Sequence, residues 1–129
     1  KLAKVQPFFV GLHFEFAGYR KIGRGGLNLF DLEHKLIRKF GDPRIHAAIN
    51  CASGGCPRLR QTAFRAATLD EELDACMLEM VTDPKHVRVD DSRRTITCSM
   101  IFKWYRGDFV GEGQAASIWD YWLRFLTPQ

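Results

Sequence analysis

The residues best suited to chemistry lie in one run, Asp42-Pro43-Arg44-Ile45-His46-Ala47-Ala48-Ile49-Asn50-Cys51-Ala52-Ser53-Gly54-Gly55-Cys56-Pro57. Cys51 enters a glycine-rich turn, a placement that suits a nucleophile held by a rigid element yet open to substrate. A thiol becomes useful when an imidazolium or a helix N-terminus lowers its pKa, and amides of such a turn can point at a developing oxyanion. The candidate bases are His46, within the run, and His34, upstream of it. If residues 44–50 are extended, His46 and Cys51 fall on opposite faces, with Cα atoms ~16 Å apart. The base for Cys51 is then His34, or His46 acts on Cys56 or Ser53 after the chain turns back. Glu33, beside His34, is a candidate for acid–base work or for an ion pair with Arg44 or His46.

Two other readings compete at this turn. Free cysteine is among the most buried residue types, so a structural role for Cys51 outweighs a catalytic one. Cys51 and Cys56 can also bridge, either stapling the loop or forming a reversible redox pair. The spacing is not C-x-x-C, which argues against thioredoxin-type chemistry. His34 and His46 lack a third ligand at telling spacing, and the cysteines lack paired C-x-x-C knuckles, so neither a metal nor a cofactor is expected.

The elements that must position these residues can be read from periodicity. Residues 8–16 read as a strand, and residues 19–22 return as its hairpin partner after Ala17-Gly18. Gly25-Gly26 breaks the pattern. A helix capped by Asn28 follows, with Leu29, Leu32, Leu36, Ile37 and Phe40 on one buried face and Gly41-Asp42-Pro43 as its stop. Residues 44–50 read as a central strand. Thr68-Leu69-Asp70-Glu71 forms a capping box for a helix burying Leu69, Leu73, Cys76, Met77, Met80 and Val81, which ends at Asp83-Pro84. Residues 87–90 and 95–98 make a second hairpin around the polar turn at 91–94. Ser99 caps a short helix with Ile101, Phe102, Trp104, Tyr105 and Phe109, and a last helix runs over residues 115–126. The fold class is α+β: one compact domain with a small mixed or antiparallel sheet, two hairpins plus a central strand, packed by about four helices.

The chain has 129 residues, of which 46% are hydrophobic and 12% aromatic, enough for one globular domain with a core. Nineteen basic against 15 acidic residues give +4, too modest and too dispersed for a nucleic-acid interface. No apolar run is long enough to span a membrane, although the basic turn at Arg20-Lys21 leaves peripheral association open. The chain opens at Lys1 without an initiator Met or signal peptide and reads as a mature or partial chain, with compartment and oligomeric state left open. Trp119, Tyr121, Trp122 and Phe125 exceed what one amphipathic helix face requires, and Trp104 and Tyr105 lie in a charged aromatic motif suited to cover the Cys51 turn or accept a partner. A protein partner docking on them is expected, with Trp119, Trp122 and Phe125 on one stripe and Tyr121 off it.

Four motifs in order carry a resemblance: Leu29-Phe30-Asp31-Leu32-Glu33-His34, Asp42-Pro43-Arg44-Ile45-His46, Asn50-Cys51-Ala52-Ser53-Gly54-Gly55-Cys56-Pro57-Arg58-Leu59, and Ile101-Phe102-Lys103-Trp104-Tyr105-Arg106-Gly107-Asp108-Phe109. The chain resembles domain-of-unknown-function family 547 over roughly residues 8–126. The resemblance implies a family of bacteria, where it is often exported, and of plants and protists, where it can be joined to coiled-coil, DEP or glutaredoxin-like domains. It also implies a distant kinship with papain-like or transglutaminase-like thiol folds. Such proteins usually carry an upstream helical segment with a Trp-x-Asn-x-Tyr-Asn-like motif. That segment is missing ahead of Lys1, so the domain reads as N-terminally incomplete. The resemblance names a family without implying an activity. The expected function is a non-catalytic interaction or assembly subunit. The alternative is a thiol-dependent hydrolase or acyl-transferase using Cys51 with His34 or His46, and a minor one is a redox-responsive Cys51/Cys56 pair.

Overall fold

The computed structural model describes residues 29–50 and 54–127. The first hairpin, the Gly25-Gly26 break, the Asn28 cap, Cys51 and Ser53 lie outside the described residues. Contacts divide the chain into two compact units, residues 1–42 with 51–54 and residues 43–50 with 55–129.

In the first unit the expected helix forms but changes pitch twice. A short α1 (Leu29–Asp31) passes into a π-helical turn over Leu32–Leu36 and a 3-10 turn over Ile37–Phe40. Lys35 pairs with Asp31 one turn back at 2.6 Å, the i,i+4 spacing that helical geometry favours. Leu36 and Phe40, expected on a buried face, are exposed. Each change of pitch rotates the residues that follow, so a uniform 3.6-residue period misplaces them. Gly41 ends the segment at φ 72°, a left-handed conformation open to glycine, and its N–H donates to the Arg38 carbonyl.

The second unit opens with a correction. Residues 44–50, expected as a central strand, contain the helical turn α2 (Ile45–Ala48). Pro43 presets φ for a helix start, and its carbonyl accepts the His46 N–H at 3.2 Å. Ala47 and Ala48 favour helix, whereas a short apolar alternation cannot by itself decide between periods. Ile45, His46 and Ala47 are all buried, and the chain becomes extended at Ile49.

A 3-10 turn over Ala66–Thr68 leads into α3 (Leu69–Thr82), the longest helix among the described residues. Leu73, Met77, Met80 and Val81 are buried as expected, but Leu69 is exposed because it occupies the first helical position, ahead of the core-facing turns. The capping box does not form. The Thr68 hydroxyl donates to Glu72 at 2.7 Å and makes no capping bond, so the helix start relies on first-turn Asp70, Glu71 and Glu72 opposite the macrodipole. Arg44 ties the start of α2 to α3 through Asp70 and Asp74, each at 2.8 Å.

Strands β1 (Val87–Asp90) and β2 (Thr95–Cys98) form the expected antiparallel hairpin, with Val87 opposite Cys98 and Asp90 opposite Thr95. Asp90 accepts from Ser92 and from the Arg93 N–H to fold the turn, and Arg94 closes it at φ 51°. A lone two-stranded hairpin is marginal in water. This one is anchored at its open end, where the Ser99 N–H donates to the His86 carbonyl at 2.7 Å.

Two single-turn helices follow, α4 (Ile101–Trp104) and α5 (Arg106–Phe109). The last helix, α6 (Ile118–Leu126), starts three residues later than periodicity predicts. Gly111 and Gly113 hold φ of 148° and 78°, and Ala115 bridges back to Val110 instead of joining the helix. Ser117 caps it, accepting from the Asp120 N–H and donating to the Asp120 carboxylate at 2.6 Å. The core is built from Ala47, Met77, Met80, Ile101, Phe102, Phe109, Tyr121 and Trp122, drawn from α2 through α6. The described residues thus form an α+β arrangement with one two-stranded antiparallel sheet.

Candidate functional site

The helical turn α2 changes what His46 can do. On a strand it would lie on one face; on α2 it is enclosed, with a side chain 2% exposed. Its Nε2 lies 2.7 Å from the Asp108 carboxylate, contributed by α5. An Nε2–H that donates to this carboxylate has a fixed tautomer and orientation. The ring stacks on Tyr105 at 3.9 Å between centroids and meets Phe109 at 5.5 Å. Two motifs far apart in sequence therefore meet here, the His46 motif and the Tyr105–Asp108 motif. Spacing alone did not reveal Asp108 as the partner, because the pairing is tertiary; its place in a charged aromatic motif was the available signal. Tyr105, expected as a docking residue, is half-buried against the imidazole.

Around Cys56, residues 55–57 are held by side chains from elsewhere in the second unit. Asn50 donates from its side-chain amide to the Pro57 carbonyl at 2.7 Å, joining the residues that flank the Cys51-to-Cys56 segment. Lys85 reaches the Cys56 carbonyl and Ser99 the Gly55 carbonyl, each at 3.3 Å. Cys56 is buried and disulfide-bonded. Cys76 and Cys98 are free, and desolvation pushes both thiols above their ordinary value, away from the thiolate that does chemistry. In the first unit, Glu33 is buried and half-buried His34 stacks on Phe30 at 4.1 Å. Glu33 and His34 belong to the first unit and His46 to the second.

Beside α3 lies a cleft of about 400 Å³ lined by Arg60, Arg65, Glu71, Glu72, Cys76 and Glu79. An ion-pair cluster occupies its wall: Arg60 meets Glu72 at 2.7 Å, and Arg65 meets it at 3.3 Å. The Thr68 hydrogen bond, then those of Arg60 and Arg65, hold the Glu72 carboxyl down at about 2. His86 is shifted in the basic-to-neutral sense. It is buried, its Nδ1 has no hydrogen-bond partner, and desolvation followed by neighbouring Lys85 pushes its pKa below 6.5.

Both shifts predict acid sensitivity. Below pH 6.5 the unfolded chain binds a proton at His86 that the native state resists, so stability falls as pH drops through that range. The Glu72 contribution is intact above 4.5 and is lost as pH falls from there toward about 2. Thermal melts against pH are expected to show two declines, with His86→Leu removing only the first. An unchanged first decline in that variant would sink the assignment.

The α6 aromatics divide differently from expectation. Trp122 and Tyr121 are buried, each about 3% exposed, and Phe125 is half-buried against the core. Trp119, Leu123 and Leu126 are exposed at 49%, 51% and 47%. Trp104 on α4 is also half exposed. Of the expected stripe Trp119, Trp122 and Phe125, only Trp119 is outward; Trp122 packs into the core, and the surface presents Trp119 with Leu123 and Leu126. Among the described residues, no helix is long and apolar enough to cross a membrane, and no group of three or more His, Cys, Asp or Glu is placed to hold a metal.

The family model described as "Protein of unknown function, DUF547" matches residues 14–81, which include the first three motifs and exclude Asp108. No curated protein and no solved structure matches the chain. With more than half of its length matched, the chain belongs to this DUF547 family.

Proposed function

We propose that this DUF547 member acts, in the form described, as a non-catalytic protein-interaction domain that docks through α6. The observation that carries this reading is the exposed apolar row Trp119, Leu123 and Leu126 at i, i+4 and i+7 of one helix. A contiguous apolar surface of this kind marks an interaction site more often than scattered exposed residues do. The thiols support the same reading. The chain has four cysteines. Cys76 and Cys98 are free with their thiols pushed above the ordinary value, and Cys56 is bridged, so none of these three offers a ready thiolate.

The test is a photo-crosslinking residue at Leu123, introduced in the protein's own cells, with Arg93 at the exposed hairpin turn as control. A discrete adduct at 123 and none at 93 is the expected result. No adduct at 123 removes the interaction reading.

The His46–Asp108 contact favours a second reading, a thiol-dependent hydrolase or acyl-transferase of papain- or transglutaminase-like kinship. Asp108 would fix the imidazole, and Cys51 would attack, with His46 or His34 as base. Glu33 and Ser53 keep supporting roles in that scheme.

A further inference from the structure

The outer face of α6 carries more than an apolar row. Its nine residues place Trp119, Leu123 and Leu126 along one line and Asp120 and Arg124 together on one flank of that line. Asp120 engages Ser117 in its own cap. Arg124 lies over the Tyr121 ring at 5.5 Å and, among the described residues, has no carboxylate partner. The helix thus presents an acidic and a basic residue one turn apart, with no carboxylate on the cation among the described residues.

This pattern is self-complementary. Laid antiparallel about a two-fold axis near Leu123, two such helices oppose Trp119 to the second copy's Leu126 and Leu123 to Leu123. In an antiparallel pair, a given flank of one helix faces the same flank of the other. Asp120 then meets the second copy's Arg124, and Arg124 meets its Asp120. A parallel pairing would instead set this flank against the opposite flank of the second copy and leave both charges without each other. An isologous contact of this kind closes on itself and needs only one surface patch.

We infer that a second copy of this chain covers α6, through an antiparallel α6–α6 contact with reciprocal Asp120–Arg124 ion pairs. This inference rests on the interaction reading and names its partner. A helix of nine residues offers a small interface, so the dimer is weak and concentration-dependent.

Sedimentation equilibrium over a wide concentration range tests it. The wild-type chain is expected to move from one chain's mass toward two. Leu123→Glu, which sets two carboxylates together at the axis, weakens association by about tenfold or more. Asp120→Arg and Arg124→Asp each weaken it, because every copy then opposes like charge. The double variant restores it, an outcome that a simple folding defect cannot produce. Circular dichroism melts confirm that each variant is folded. A wild-type chain that stays monomeric, or a double variant no better than the singles, overturns the self-pairing. A Leu123 crosslink to a different chain with monomeric sedimentation overturns the self-pairing alone; absence of any crosslink overturns the interaction reading as well.

Discussion

Phe109→Ala is expected to destabilise the second unit by about 3–5 kcal/mol, the range for emptying a buried aromatic site. Phe109 has no exposed surface, and its ring lies 5.3 Å from Phe102, 5.1 Å from Tyr121 and 5.5 Å from His46. It therefore touches α2, α4 and α6 at once, and none of them can close the void without leaving its other partners. Domains hold only about 5–15 kcal/mol in total, so the loss is a large fraction of the whole. In a thermal melt it corresponds to a drop on the order of 10–20 °C. Leu59→Ala is the control: Leu59 is 69% exposed, and its truncation should stay within about 0.5 kcal/mol. Equal effects at the two positions would mean that Phe109 does not centre the core.

The second large effect belongs to Asp108. Asp108→Ala leaves the enclosed imidazole N–H of His46 without its acceptor, and an unsatisfied buried donor costs about 1–3 kcal/mol. Asp108→Asn keeps a carbonyl acceptor in place and should cost less. His46→Phe in the Asp108→Ala background removes the stranded donor while retaining a ring against Tyr105, so the double variant should be more stable than Asp108→Ala alone. Chemical denaturation of the four proteins gives that order or refutes it. The same variants separate structure from chemistry. In the fully reduced chain, an imidazole oriented by Asp108 and serving Cys51 makes alkylation of Cys51 fall at least about tenfold in Asp108→Asn, with Cys76 and Cys98 unchanged as internal references. A Cys51 rate that ignores the substitution leaves His46–Asp108 as an anchor between α2 and α5 and retires the thiol-enzyme reading.

Sequence alone revealed the parts of this molecule whose signals are local and long. The α3 periodicity runs over four turns, and the 87–98 hairpin is marked by the polar turn at 91–94. Residues 45–48 read as strand from sequence because four residues cannot distinguish a period of 2 from one of 3.6, and Pro43, which marks the end of one helix, also starts the next. The α1 segment was found but its face was not, since changes in pitch leave no mark in a hydrophobic pattern. Thr68 carried the right residue for a cap, but a competing carboxylate, Glu72, took its hydroxyl. The carboxylate that His46 meets lies 62 residues away and becomes visible only when α2 packs against α5. On α6, spacing groups Trp122 with Trp119 and Phe125, whereas packing turns the Trp122 indole inward and leaves Leu123 outside.

The inward indole and its outward neighbour make an optical pair. Trp119 and Trp122 stand edge to face with centroids 5.0 Å apart, close enough for their electronic transitions to couple rather than absorb independently. One member is locked against Phe102 at 4.8 Å, and the other is half in solvent. Coupled, non-parallel indoles add their own signed bands to the long-wavelength end of the far-ultraviolet dichroism spectrum. The ellipticity of this chain will therefore misstate its helix content if read by backbone formulae alone. The same bands report on two events with one signal: they collapse when the Phe102–Trp122 packing melts, and they shift when something settles over Trp119.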